Sequence, residues 1–75
     1  MELSEAIKTT RQKAFMTQEC FAQALCVTAS TINRWEHGKA IPNLKALKKL
    51  KSLCDNNALD YSLVEDAWFR AHDKK

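Results

Sequence analysis

Apolar residues along this chain return every three or four positions, and no stretch alternates with the two-residue period of a strand. Leu3, Ala6, Ile7 and Ala14 mark the buried face of a helix predicted over Leu3–Lys13. A second helix starts at Thr17, whose hydroxyl can cap free backbone N–H groups, and runs to about Leu25. A third, capped by Thr28, continues to about His37, where Gly38, the chain's only glycine, supplies a left-handed stop. Pro42 blocks continuation, and Asn43 caps a fourth helix from Leu44 to about Cys54. Its predicted apolar stripe is Leu44, Leu47, Leu50 and Cys54, with Leu53 nearby and Lys45, Lys48 and Lys49 opposite. Asp55-Asn56-Asn57 reads as a loop, and Asp60 as the cap of a fifth helix spanning about residues 59–72. Tyr61, Leu63, Val64, Ala67, Trp68 and Ala71 form one wide apolar arc there, while Phe69 falls among Ser62, Glu65 and Asp66. The expectation is an all-α, five-helix chain forming a single domain over residues 1–75. Its core lies within residues 3–54, and the last helix packs on that core or forms a dimer contact.

Size and composition narrow the function classes. At 75 residues the chain buries only roughly 60% of its unfolded surface, so its core is thin and leaves no room for a two-lobed catalytic cleft. No Ser/His/acid set, carboxylate pair in a cleft or glycine-rich phosphate loop is visible, so the expectation is no enzyme. No apolar run is long enough to span a bilayer, and MELSEAIKTTR does not read as a signal peptide, which points to the cytoplasm. Cys20, Cys26 and Cys54 form no C-x-x-C pair and are odd in number, as expected of free thiols in a reducing compartment. With His37 and His72 they give no ligand pair at zinc-like spacing, so neither a metal site nor another cofactor is expected.

The formal net charge of +3 decides little, but its distribution does. No acid lies between Glu36 and Asp55, while Lys39, Lys45, Lys48, Lys49 and Lys51 all do. A solvated lysine face explains such a run on any helix; beside the segment Thr17–Lys39 it suggests a face for a polyanion. That segment reads as two short helices joined by a tight turn. Ala22 is small where the two helices must approach, Phe21 and Leu25 share one face, Ile32 and Trp35 share the facing one, and Val27 plugs the turn.

Thr17-Gln18, Phe21-Ala22, Leu25, Val27-Thr28, Thr31-Ile32, Trp35-Glu36, Gly38-Lys39 and Pro42 together resemble the helix-turn-helix of the Cro/C1 (XRE) family of repressors. With the flanking helices the resemblance covers about Leu3–Cys54 and implies a lambda-repressor-like fold. It implies that the third helix reads bases in the major groove through Ala29, Ser30, Asn33 and Arg34. Arg34 can make a bidentate contact to guanine, Asn33 can pair with adenine, and Ala29 can touch a thymine methyl. Ser30 reads a base or reinforces the start of the helix. The resemblance also implies that Gln18, Thr17, Lys39 and Asn43 meet the DNA backbone. His37 meets a phosphate there or serves the helix C-terminal dipole. Arg11 and Glu36 occupy the positions of a structural ion pair, which brings Arg11 near a phosphate. Cys26 and Phe15 stand where the family commonly has glycine, and Thr10 where it commonly has a core aliphatic.

The resulting expectation is sequence-specific binding of double-stranded DNA by a transcriptional repressor, working as a homodimer with Phe69 as a candidate anchor. Its rival is a protein-interaction module, such as an antitoxin or adaptor, whose main partner is another protein. Trp35 is assigned to the core, and Trp68 to the apolar arc of the last helix; under the rival reading Trp68 and Phe69 belong to the surface that meets the partner.

Overall fold

The computed structural model describes residues 2–73. It contains α1 (Leu3–Lys13), α2 (Gln18–Leu25), α3 (Ala29–Glu36), α4 (Leu44–Asn56) and α5 (Ser62–Asp73), with no strand among the described residues. Each helix contributes its expected spacing to one core. Ile7, Phe21, Leu25, Ile32, Leu50 and Val64 are all essentially removed from solvent. α2 packs on α3 and α4, and α1 packs on α3 and α5. Leu3, Ala6, Ile7 and Thr10 follow the three-and-four spacing of α1's buried face. Thr10 costs the core less than a polar residue usually would, because its hydroxyl donates to the Ala6 carbonyl at 2.8 Å.

The helix starts follow the sequence closely. Thr17 Oγ1 accepts from the Cys20 N–H at 3.1 Å, Thr28 Oγ1 from Thr31 N–H at 3.1 Å, and Asn43 Oδ1 from Ala46 N–H at 2.9 Å. Each bond satisfies a donor that the first turn of a helix leaves without an intrahelical partner.

The helix ends share one device. After α1, α2, α3 and α4 the chain turns through a left-handed residue: Phe15 (φ 57°), Cys26 (φ 59°), Gly38 (φ 72°) and Ala58 (φ 54°). In each case the next residue's N–H returns to a carbonyl in the last turn. Met16 bonds Arg11, Val27 bonds Ala22, Lys39 bonds Arg34 and Leu59 bonds Cys54. Only one of the four has glycine, the residue without a steric penalty in this conformation.

Three expectations are corrected. The fourth helix does not stop at Cys54 but runs through Asp55 and Asn56, and the reversal is made by Ala58, which carries no turn signal. The fifth begins at Ser62, because Asp60 Oδ1 accepts from both the Ser62 N–H (2.9 Å) and its hydroxyl (2.6 Å). These bonds hold the exposed Asp60 carboxyl below its ordinary range. Leu44 and Leu63 do not join the core. Leu44 is 64% exposed, since at the first position of α4 it lies well outside the arc of Ala46, Leu47, Leu50, Leu53 and Cys54.

α5 is fastened by a long-range bond. The buried Trp68 Nε1–H donates to the carbonyl of Pro42 at 2.7 Å, which ties the last helix to the loop after α3. No helix of the described residues is long and apolar enough to cross a membrane.

Candidate nucleic-acid interface

α3 divides cleanly into two faces. Ile32 and Trp35 are buried, whereas Ser30, Asn33, Arg34 and His37 are exposed and recur at the spacing of a single helix face. Ala29 sits at the boundary, partly buried against the core. Thr31 is also intermediate, its hydroxyl 2.9 Å from that of Thr28, so both support the helix start. Arg34 has no carboxylate within ion-pair distance among the described residues. A guanidinium, an amide and a hydroxyl therefore project from one side of a short helix.

The placement of α3 depends on a polar cluster under its C-terminal end. The Glu36 carboxylate receives Arg11 Nε at 2.7 Å and Nη2 at 3.1 Å, and the Gln18 side-chain amide at 3.2 Å. Arg11 Nη1 also donates to the Met16 carbonyl at 3.0 Å. One ion pair thus joins α1, the corner before α2, the first residue of α2 and the last of α3. The Glu36 hydrogen bond raises the Arg11 pKa above its already high ordinary value, so the guanidinium stays charged at any physiological pH. Its side chains are 15% (Arg11) and 3% (Glu36) exposed, so it acts as a strut under the surface.

The expected backbone-contacting residues fall into two groups. Thr17, Lys39 and Asn43 are exposed at the ends of α2 and α3 and the start of α4. Thr17 and Asn43 spend only oxygen acceptors on capping, which leaves the Thr17 hydroxyl hydrogen and the Asn43 amide hydrogens as donors. Gln18 and Arg11 are turned inward to Glu36; what Gln18 presents at the surface is the free N–H end of α2. His37 Nδ1–H donates to the Asn33 carbonyl at 2.8 Å, closing the last turn of α3. The bond from Gln18 to Glu36 and the role of the Met16 carbonyl were not readable from the sequence, because neither residue type nor spacing marks them.

The helix-turn-helix family matches this chain over residues 7–64, which takes in α2, α3 and α4 complete, most of α1 and the start of α5. This chain belongs to the Cro/C1-type helix-turn-helix family. It is also 40% identical over 48 residues to the HTH-type transcriptional activator BcrR of Enterococcus faecalis. That similarity covers 64% of this chain and 24% of the relative, so the chain spans about a quarter of the length of the protein it matches. No solved structure gives a significant match. The matched span includes the two-faced α3 and all but the start of α1, so the Arg11–Glu36 strut lies wholly within it.

Proposed function

We propose that this chain binds double-stranded DNA sequence-specifically and regulates transcription, acting in the cytoplasm as a repressor. The observation that carries this reading is the exposed row Ser30, Asn33, Arg34 and His37 on a helix whose other face is locked into the core. Ser30, Asn33 and Arg34 supply donors and acceptors for base edges, with the half-buried Ala29 at the margin of the groove. Thr17, Lys39, Asn43 and the N-terminus of α2 lie around them as phosphate-binding groups that fix the register. Repression requires only that the protein occupy its site, which these groups suffice to do. The relative's name, by contrast, describes an activator.

Binding to an operator selected from random duplexes tests the assignment. Arg34→Ala is expected to cost about 1–3 kcal/mol and to relax preference at one base pair. Lys39→Ala is expected to weaken all sequences alike and to reduce the salt dependence. If Arg34→Ala weakens every sequence equally, its base-reading role is wrong. A reporter carrying the operator across a promoter distinguishes the sign: lower output supports repression, and higher output assigns activation.

A further inference from the structure

α4 carries its lysines in two rows, only one of which adjoins the surface described above. At 100° per residue Lys45 and Lys49 share one row, four positions apart, on the side that faces α2. Lys48 and Lys51 lie in another, along with Asp55, which is four positions from Lys51. Lys45 and Lys49 line an open hollow of about 280 Å³ together with Cys26 and Val27 of the turn before α3, and with Asn43. Neither lysine has a carboxylate partner among the described residues. The row therefore begins beside the Asn43 cap and runs back along α4, past the turn that aims the recognition helix.

Resting on the DNA-binding reading, we infer that Lys45 and Lys49 form a second phosphate-binding row, which follows one strand of the duplex beyond the contact at Asn43. Their Cβ atoms are about 5–6 Å apart, as for any such helical pair, and each side chain is long and flexible. Phosphates on one strand recur every ~3.4 Å along the duplex axis, so two ammonium groups at this spacing can meet separate phosphates. Both lysines are point charges and carry no sequence information. Their role is to fix how deeply and at what angle α3 enters the groove. The hollow beside the turn leaves space for a sugar-phosphate segment between α4 and α2.

Two double variants with the same charge change test this. Lys45→Gln/Lys49→Gln and Lys48→Gln/Lys51→Gln each lower the formal net charge of +3 by two. The measurement is the slope of log affinity against log salt on one duplex, with circular dichroism to establish folding. The Lys45/Lys49 variant is expected to lose close to two from the slope, at about 0.9 per phosphate contact. The Lys48/Lys51 variant is expected to keep the wild-type slope. Equal loss in both variants would overturn the proposal, because only a diffuse positive field would then be acting. An unchanged slope in the Lys45/Lys49 variant, with wild-type binding still salt-dependent, would overturn it and leave the DNA reading intact. Failure of folded wild-type protein to bind any duplex at low salt would overturn both together.

Discussion

Cys26 sits at φ 59° in the turn between α2 and α3, a conformation that costs a residue with a side chain roughly 1–2 kcal/mol. Its side chain is exposed, so no core contact is lost when it is removed. Cys26→Gly is accordingly expected to stabilise the fold by about 1 kcal/mol, after allowing for glycine's greater freedom in the unfolded chain. For a chain this short that is a rise of about 4–8 °C in melting temperature. A lower melting temperature would mean that the turn is held by something other than backbone geometry. Phe15 combines the same conformation (φ 57°) with 96% exposure, and nothing in the structure explains a phenylalanine at that corner.

The cysteines also differ chemically. Cys54 is buried in the core, and burial, reinforced by Asp55 and Asp60, pushes its thiol up to about 11 from an ordinary value near 9. In the unfolded chain the thiol ionises first, so between these values the folded state holds more protons. Stability from this group is complete below pH about 9 and lost as pH rises toward about 11. Denaturant melts across that window are expected to fall more steeply for wild type than for Cys54→Ala. Equal slopes would remove the assignment.

Among the elements, α3 depends most on contacts made outside itself. It has eight residues, too few to be stable alone in water. Its N-terminus is fixed by Thr28 and its C-terminal end by the Glu36 cluster. Glu36→Ala leaves the Arg11 guanidinium and the Gln18 amide without their acceptor, a cost of about 3 kcal/mol. Denaturation midpoints check this, and a loss below about 0.5 kcal/mol, the range of ordinary surface substitutions, would show that the cluster is dispensable. At this scale the sequence was largely readable. Thr17, Thr28, Asn43 and Gly38 announce their helix boundaries because capping is local, a bond between residues three to five apart. The end of α4 was not readable, because Ala58 turns left-handed without the residue type that normally marks such a turn.

For the whole molecule, the surface left uncovered is as informative as the core. Phe69 is 53% exposed, its ring edge-on to Trp68 with centroids 5.2 Å apart, while Trp68 stacks on His72 at 4.7 Å. Ile41, Pro42, Leu44, Trp68 and His72 line a largely apolar hollow beside the start of α4, together with Asn43 and Lys45. We propose that Phe69, which lies outside this hollow, anchors a two-fold contact between copies. Sedimentation at micromolar concentration is expected to show a dimer for wild type and a shift toward monomer for Phe69→Ala. An unchanged oligomeric state would remove Phe69 from the contact. A dimer spanning half-sites one helical turn apart would pair two recognition helices on a pseudo-palindromic operator.

The five helices, most of their starts, the faces they bury and the exposed row on α3 were legible in the order of residue types. These are set by spacing, capping and residue size, which act over a few positions. The apolar pattern failed only at Leu44 and Leu63, whose burial depends on which neighbour covers them. Tertiary structure alone decided that Gln18 turns inward to Glu36, that Trp68 reaches the Pro42 carbonyl, and that Lys45 and Lys49 flank the turn before α3. Those contacts join residues that are far apart in the chain, and no local rule brings such residues together; only the packing of helix on helix does.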